Sequence, residues 1–218
     1  MYNQIKKVAM EAALKAGAYQ QKRRGHIKEI TYKGAINIVT DVDKSCEKMI
    51  IKHILTNFND HGILAEESDP RAENAEYKWI IDPIDGTTNY AQGLPIYCVS
   101  IGVEYKSEMI VGVVYAPDLG EMFYAVKGKG AFLNKKRIFV SKKAELDNSF
   151  LVTGFAYDVR SAKLDNIDNF EILIKRTLAV RRLGSAAIDM SYVACGRFDG
   201  FWEKGLQPWD AAAGMLIV

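Results

Sequence analysis

The chain has 218 residues, 49% of them hydrophobic, which is enough to bury a sizeable core and argues against a disordered chain. Its 29 basic and 27 acidic residues leave a formal charge of +2. No field of one sign is therefore expected to draw the protein onto nucleic acid or an anionic membrane. The start shows no signal-peptide pattern and no apolar run approaches the roughly 20 residues that span a bilayer, so we expect a cytoplasmic protein.

Two amphipathic helices are predicted at the start of the chain. Residues 4–20 place apolar side chains at helical spacing, and the basic run at 22–25 ends this helix. A second helix begins at TDVDK, where Thr40 or Asp41 supplies the N-cap, and its apolar positions run from Cys46 to Phe58.

The middle of the chain is predicted to be sheet. Its short apolar runs are rich in β-branched and aromatic residues and are separated by Gly, Asn and Pro, and a hairpin is expected at 106–108. The predicted strands are GILAEES (62–68), KWIIDP (78–83), YCVSIGVEY (97–105), MIVGVVYAP (109–117), EMFYAV (121–126), AFLNKKRIFV (131–140) and SFLVTGFAY (149–157).

Helices and strands alternate in the last third. We expect a helix over 162–176, a strand over 178–184, a helix over 185–196, a strand over 198–205 and a final helix from Trp209. This order predicts mixed α and β layers. The simplest division is one domain over 1–218, with lobes at about 1–150 and 151–218. Cys46, Cys98 and Cys195 have no metal-binding or disulfide spacing, so free thiols are expected.

Acidic residues end two neighbouring predicted strands. Glu66 and Glu67 end one, Asp82 ends the next, Asp85 follows across a Pro-Ile pair, and Asp210 starts the last helix. Carboxylates that converge in this way repel each other and persist as anions only with divalent cations among them. All-oxygen ligands select a hard ion such as Mg²⁺, which also takes phosphate oxygens. The sequence therefore predicts a metal site for phosphate chemistry.

The segment WIIDPIDGTTNY (79–90) carries half of this predicted site. The spacing of Asp82 and Asp85 lets one carboxylate bridge two metals, with the Ile84 carbonyl as a further ligand. Gly86 and Thr87 would present backbone N–H groups to an anion if a helix starts there. Taken alone, DPIDG also fits an ordinary β-turn. The following Thr-Thr-Asn and the other acids favour the metal site.

Five segments in chain order resemble the inositol monophosphatase family, the lithium-sensitive, magnesium-dependent phosphatases. They are NIVTDVDK (37–44), LAEES (64–68), WIIDPIDGTTNY (79–90), LGSAAIDMSYVACGRFDGFWE (183–203) and PWDAAAG (208–214). The resemblance implies an α+β fold, the layered α/β/α/β/α sandwich of the sugar phosphatases, usually as a homodimer. Members of the family continue beyond the helix that contains Asp210, so we expect this chain to be C-terminally truncated relative to them.

The resemblance also implies roles for named residues. The metal ligands would be Glu66, Asp82, the Ile84 carbonyl, Asp85 and Asp210. The catalytic group would consist of Asp43, Glu66 and Thr87, in which Asp43 pairs with the Thr87 hydroxyl to activate water. The substrate-binding residues would be Asp85, Gly86, Thr87, Gly184, Ser185, Ala186, Glu203 and Asp210. Lys33 falls on a segment that forms a loop over the metals in the family, and an exposed loop lysine is the alternative.

The implied activity is Mg²⁺-dependent hydrolysis of a phosphate monoester, inositol 1-phosphate, by a metal-activated water. Two or three Mg²⁺ ions are expected, with Mn²⁺ as a substitute and Li⁺ as an inhibitor. Fructose 1,6-bisphosphate, adenosine 3′,5′-bisphosphate and NADP remain alternative substrates. A binding role in transcription complexes is the alternative of another class, although the retained ligands favour catalysis. We expect neither membrane nor nucleic acid as a partner.

Overall fold

The computed structural model describes residues 1–34, 36–162 and 165–218. It opens with two helices that pack against each other, α1 (Tyr2–Arg23) and α2 (Asp41–Asn57). The buried face of α1 is the one that the apolar spacing predicts. Thr40 is the N-cap of α2: its hydroxyl accepts hydrogen bonds from the Val42 and Asp43 amides, and the Asp43 carboxylate accepts one from the Thr40 amide.

A short hairpin between these helices was not predicted. It consists of β1 (Ile30–Tyr32) and β2 (Ile38–Thr40), paired antiparallel. All three residues of β1 are exposed, and each strand has only three residues, which is too short for a strand pattern to be recognised in the sequence.

A seven-stranded sheet packs against the α1–α2 pair. Its strands are β3 (Gly62–Ala65), β4 (Tyr77–Asp85), β5 (Cys98–Tyr105), β6 (Glu108–Ala116), β7 (Glu121–Val126), β8 (Gly130–Leu133) and β9 (Lys136–Arg137), neighbours in that order. A five-residue helix, α3 (Thr87–Ala91), follows β4. The β3–β4 pair is parallel and the others are antiparallel. Residues that follow β3 and β4 therefore meet at one edge.

The hairpin predicted at 106–108 is confirmed, but the last strand predicted in this sheet is not. Lys106 and Ser107 form the expected hairpin loop, both with positive φ, as two-residue hairpin loops require. The single strand predicted over 131–140 is wrong. Asn134 and Lys135 adopt φ of 46° and 71° and turn the chain between β8 and β9, and residues 138–140 lie outside strands.

The other face of the large sheet carries a second helical layer and a second sheet. The elements are α4 (Ile167–Ile174), α5 (Ala186–Ala194), α6 (Pro208–Ile217), β10 (Phe150–Thr153), β11 (Ala179–Arg181) and β12 (Gly200–Trp202). α6 packs on β5 and β6, and α5 packs on α6 and contacts β10 and β12. β10 lies between β11 and β12, parallel to both, and α4 contacts β11. The layer order is α/β/α/β/α, as expected.

Two helix boundaries correct the sequence prediction. The helix expected over 162–176 is observed only at Ile167–Ile174, and residues 163–164 lie outside the described part of the chain. Asn166 precedes it with φ of 76°, which a right-handed helix cannot continue through. The last helix begins at Pro208, one residue before the predicted start, since proline suits the first helical position.

The three cysteines are free, as predicted. No helix in residues 1–34, 36–162 and 165–218 has the length and apolar content needed to cross a membrane.

Two glycines allow α6 to approach the large sheet closely. Gly102 and Gly112 are register partners on β5 and β6. A Cβ on Gly112 would lie 2.6 Å from the Ala213 carbonyl oxygen, and one on Gly102 would lie 2.8 Å from the Ala212 Cβ. These contacts are to backbone and Cβ atoms of α6, which cannot move aside. The helix that carries Asp210 can therefore pack this closely on the sheet only because both sheet residues are glycine.

We expect Gly112→Ala to lower the free energy of unfolding by about 1–3 kcal/mol, because the added methyl overlaps backbone atoms of α6. Urea denaturation measures the change. Gly34→Ala is the control, since a Cβ there meets nothing within 4 Å among the described residues. Equal stability of the two variants would contradict the close docking of α6.

Candidate active site

Asp82 and Asp85 lie at the end of β4, where its pairing with β5 shifts register. They are 2% and 8% exposed. The Ile84 amide donates to Asp82 Oδ1 at 2.9 Å. Asp85 Oδ2 accepts hydrogen bonds from Ser185 Oγ at 2.8 Å and from the Ala187 amide at 2.7 Å. Asp85 therefore lies at the N-terminus of α5, where the helix dipole favours a negative charge.

Glu66 reaches the same edge from the parallel neighbour strand. It is the first residue after β3, and its amide donates to the Ile81 carbonyl at 3.2 Å. Lys33 Nζ lies 3.2 Å from Glu66 Oε1 and also pairs with Glu67. Lys33 is exposed, and its side chain is paired with two carboxylates. The contact with Glu66 joins positions 33 residues apart, so local sequence patterns do not predict it.

Asp210 comes to the site from α6. It is the third residue of that helix, and its Oδ2 accepts a hydrogen bond from the Gln207 amide at 2.7 Å in a capping box. Burial raises its pKa, and the Gln207 amide opposes this shift. The Asp210 carboxylate thus caps its own helix while it faces the acids of the large sheet.

The pKa values show how strongly these acids affect one another. Burial raises the pKa of Asp82 well above its usual range, and the charges of Glu66, Asp85 and Asp210 raise it further. Burial and the Asp210 charge raise the pKa of Asp85 to about 7, while the hydrogen bonds that Asp85 accepts at the start of α5 lower it. Burial raises the pKa of Glu66 to about 7 while Lys33 opposes the shift. The carboxylates predicted to converge therefore lie close enough for the charges of Glu66, Asp85 and Asp210 to act on Asp82.

The donor set suits a hard cation. It consists of carboxylate and carbonyl oxygens in a largely buried setting. In the described ranges no three acidic, His or Cys side chains are drawn together tightly enough to enclose an ion. Mg²⁺ does not require such a cage, because it keeps several waters and binds through one or two carboxylates and substrate phosphates. The residues present fit this open kind of site.

Asp43 and Thr87 form a hydrogen-bonded pair beneath these acids. Thr87 Oγ1 lies 2.8 Å from Asp43 Oδ1 and 2.9 Å from the Ile84 carbonyl oxygen, so its single proton has two acceptors. The other oxygen of Asp43 accepts hydrogen bonds from Thr40. Burial raises the Asp43 pKa to about 6, and the hydrogen bonds from Thr40 and Thr87 oppose the shift.

Gly86 joins β4 to α3 in a conformation that favours glycine. Its φ is 94°, and a Cβ there would lie 2.9 Å from the Ile96 carbonyl oxygen and 3.2 Å from that of Gly184. The Asn89 side chain donates to the carbonyls of Ile96 and Leu183, both at 2.8 Å. These contacts hold the segment at 183–186 against the start of α3.

A cleft of about 540 Å³ opens over these residues. Seven of the sequence-predicted site residues line it: Glu66, Asp85, Gly184, Ser185, Ala186, Glu203 and Asp210. The other five, which are buried and are not part of its lining, are Asp43, Asp82, Ile84, Gly86 and Thr87. The structure thus brings the predicted set to one place, and the role of each residue remains a prediction.

Asp189 lines the cleft and was not predicted. It is 1% exposed, and its Oδ1 has no hydrogen-bond partner among the described residues. Burial, with the charges of Asp85 and Glu203, raises its pKa to about 9, so the neutral form prevails at pH 7. A single acid within the apolar run SAAIDMSYVA was the signal that could have revealed it.

Comparison with known proteins places this chain in a family. The family model "Inositol monophosphatase family" matches residues 1–218. The chain is 47% identical over 213 residues to an inositol-1-monophosphatase of Synechocystis sp., covering 97% of this chain and 74% of that protein. It is 44% identical over 220 residues to the Nus factor SuhB of Haemophilus influenzae, covering 99% and 82% respectively.

Solved structures agree with these matches. The inositol monophosphatase from Anabaena (Nostoc) sp. superimposes with a TM-score of 0.90 at 44% identity, covering 99% of this chain and 80% of that one. An IMPase/NADP phosphatase, complexed with NADP and Ca²⁺, superimposes with a TM-score of 0.87 at 25% identity, covering 100% and 81%. The chain belongs to the inositol monophosphatase family, whose members are phosphatases and generally depend on metal ions.

Proposed function

We propose that this phosphatase hydrolyses inositol 1-phosphate with Mg²⁺ as its cofactor. The observation that carries the proposal is the mutual proximity of four acids: the buried Asp82 feels the charges of Glu66, Asp85 and Asp210, and these three line one cleft. Like charges in a poorly solvated place raise one another's pKa, and a bound cation removes that cost. The family match supports a phosphate ester as the substrate.

In this proposal the metal ions are held by Glu66, Asp82, the Ile84 carbonyl, Asp85 and Asp210. Bound there, Mg²⁺ would lower the pKa of a water and stabilise the charge that develops on the leaving oxygen. Two or three ions are expected; Mn²⁺ would substitute for Mg²⁺, and Li⁺ would inhibit. The Ile84 carbonyl accepts from Thr87 and still has a second lone pair for an ion.

The chain's own residues then orient the water and the phosphate. When Thr87 Oγ1 donates to Asp43, its lone pairs are available to accept a hydrogen bond from the attacking water. Asp43, whose pKa burial raises to about 6, is suited to accept through the Thr87 hydroxyl the proton that the water loses, and Glu66, as a metal ligand, would help to hold that water. Gly86 and Thr87 would contribute backbone N–H groups to the phosphate.

A protein nucleophile is not required. Cys98 lies 3.8 Å from Asp85 Oδ2, but its thiol is buried and its pKa is raised well above the usual value by burial and by the Asp85 charge. A neutral thiol is a poor nucleophile. The arrangement of acids around Thr87 therefore favours direct attack by water.

The wall made by Gly184, Ser185, Ala186 and Glu203 would contact the polyol part of the substrate. The width of the cleft also leaves room for larger phosphate esters, and the neighbour complexed with NADP keeps a nucleotide substrate open. Fructose 1,6-bisphosphate and adenosine 3′,5′-bisphosphate are further candidate substrates. A cytoplasmic homodimer is part of the proposal, by analogy with the family.

A binding function is the second candidate, because several relatives at 40–44% identity are named Nus factor SuhB. The exposed basic residues Lys135, Lys136 and Arg137 around the β8–β9 turn would be available to a nucleic acid. Retention of all four acids of the site favours catalysis. The two functions are separable, since the turn and the cleft are formed by different residues.

Phosphate release from inositol 1-phosphate tests the proposal. We expect turnover with Mg²⁺, loss of turnover in excess chelator, and at least a hundredfold lower kcat for Asp85→Asn, because loss of one charge weakens the metal site. Asp69→Asn, at an exposed acid, is the matched control. Equal, metal-independent rates for the unsubstituted protein and both variants would contradict the metal mechanism. RNA binding without turnover would favour the binding function. Faster hydrolysis of fructose 1,6-bisphosphate than of inositol 1-phosphate would make the bisphosphate the preferred substrate.

The pH dependence of stability tests the electrostatics of the same cluster. The pKa values of Glu66 and Asp85 are about 7 in the folded protein, whereas such carboxyls ionise near about pH 4 in an unfolded chain. Between these values the unfolded chain has released protons that the folded chain still holds, so stability falls as pH rises. In excess chelator we expect the free energy of unfolding to decrease from about pH 4 to about pH 7.

Asp85→Asn removes one of these carboxyls, so its unfolding free energy should depend less steeply on pH. Urea denaturation at a series of pH values measures both slopes, with Asp69→Asn as the control for a lost surface charge. A flat or rising profile for the unsubstituted protein would contradict the burial of ionisable carboxyls at this edge.

A further inference from the structure

Gly154 and Glu203 lie side by side at the edge of the small sheet. Gly154 follows Thr153, the last residue of β10, and Glu203 follows Trp202, the last residue of β12. Thr153 and Trp202 are register partners in parallel strands, and both Gly154 and Glu203 line the cleft. The two residues after these partners therefore leave the sheet in the same direction.

The Glu203 carboxyl occupies the space that a side chain at 154 would need. A Cβ on Gly154 would lie 2.2 Å from Glu203 Oε2, 2.4 Å from Oε1 and 2.4 Å from Cδ. Contacts below 3.0 Å force one group to move. Gly154 does not have a positive φ, so alanine fits its backbone, and the group that would move is the end of a flexible side chain. A methyl there is thus expected to displace the carboxyl rather than the fold.

Asn166 holds the two strand ends at a fixed separation. Its Nδ2 donates to the Gly154 carbonyl at 2.8 Å and to Thr153 Oγ1 at 3.1 Å, and its Oδ1 accepts from Trp202 Nε1 at 2.8 Å. Thr153 Oγ1 also lies 2.6 Å from the Trp202 carbonyl oxygen, to which it donates. Asn166 is 2% exposed, so both ends of its buried amide are used on residues next to Gly154 and Glu203.

We propose that Gly154 and Asn166 are positioning residues that set the Glu203 carboxyl against the hydroxyl groups of the substrate. Gly154 provides the space, and Asn166 fixes the strand ends on both sides of it. A carboxyl held in this way accepts hydrogen bonds from adjacent hydroxyls of a polyol and selects against esters that lack them. The inference rests on the proposed function, since it assumes a substrate with hydroxyl groups beyond its phosphate.

A double-mutant cycle tests the role of Gly154. We expect Gly154→Ala to raise KM for inositol 1-phosphate about tenfold more than KM for p-nitrophenyl phosphate, because only the polyol loses the hydrogen bonds of the Glu203 carboxyl. In a Glu203→Ala background, Gly154→Ala should cause no further change in this KM ratio, since no carboxyl remains to be displaced. An equal and additive effect on both substrates and in both backgrounds would overturn the proposal.

Gly200→Ala is the matched control within the same sheet. A Cβ on Gly200 would lie 3.1 Å from Leu151 Cδ2, away from Glu203, so the KM ratio should not shift. Asn166→Asp keeps the acceptor for Trp202 and loses the donor to the Gly154 carbonyl. It should shift the KM ratio in the same direction as Gly154→Ala, whereas a fall in both activities with an unchanged ratio would leave Asn166 with a structural role alone.

A crystal structure of Gly154→Ala supplies a readout that does not depend on turnover. The expected result is a Glu203 carboxyl that has moved off the 154 position with the strands unchanged. A carboxyl in its original place beside the added methyl group, or a shifted β10, would overturn the positioning role. If the unsubstituted protein failed to hydrolyse inositol 1-phosphate, the proposed function would fail while this structure still tested the geometry.

Discussion

Electrostatic repulsion among buried carboxylates is the constraint on which the rest of this molecule depends. Four acids meet at one sheet edge. The fold holds two of them, Asp85 and Asp210, at helix N-termini, and it holds the neighbouring Asp43 in the same way. Asp43 is the third residue of α2, Asp210 is the third residue of α6, and Asp85 accepts hydrogen bonds at the start of α5. The positive ends of three helix dipoles therefore converge on the acids and offset part of their repulsion. Hydrogen bonds from the chain keep each carboxylate in place.

The two sheets contribute different acidic residues to the site. The large sheet supplies Glu66, Asp82 and Asp85, whose oxygens suit cations, and the small sheet supplies Glu203, which we propose binds hydroxyl groups of the substrate. α5 and α6 lie between the sheets and contribute to both ends of the cleft. The close approach of α6 to the glycines of β5 and β6 is therefore a condition for the site as well as for the core.

Much of the site could be predicted from the sequence, because strong local patterns surround its acids. Asp82 and Asp85 follow an apolar strand, and the parallel pairing of β3 with β4 places Glu66 beside them. Asp189, Lys33 and Asn166 could not be assigned in this way. Asp189 lies on a helix that reads as apolar, Lys33 binds its partners across 33 residues of chain, and the contacts of Asn166 depend on how β10 and β12 pair. Propensity and spacing describe neighbours along the chain, whereas the place of Asp189 in the cleft and the contacts of Lys33 and Asn166 exist only in the folded chain.

Proton release on Mg²⁺ binding tests the central claim most directly, because metal can bind these carboxylates only in their ionised form. Titration calorimetry near pH 7, repeated in buffers of different ionisation enthalpy, measures the number of protons released. Carboxyls whose pKa values are raised to about 7 should release protons to the buffer as Mg²⁺ binds, and Asp85→Asn should weaken binding and release fewer. Mg²⁺ binding without proton release, or no binding at millimolar concentrations, would contradict a buried, mutually repelling carboxylate cluster as the metal site.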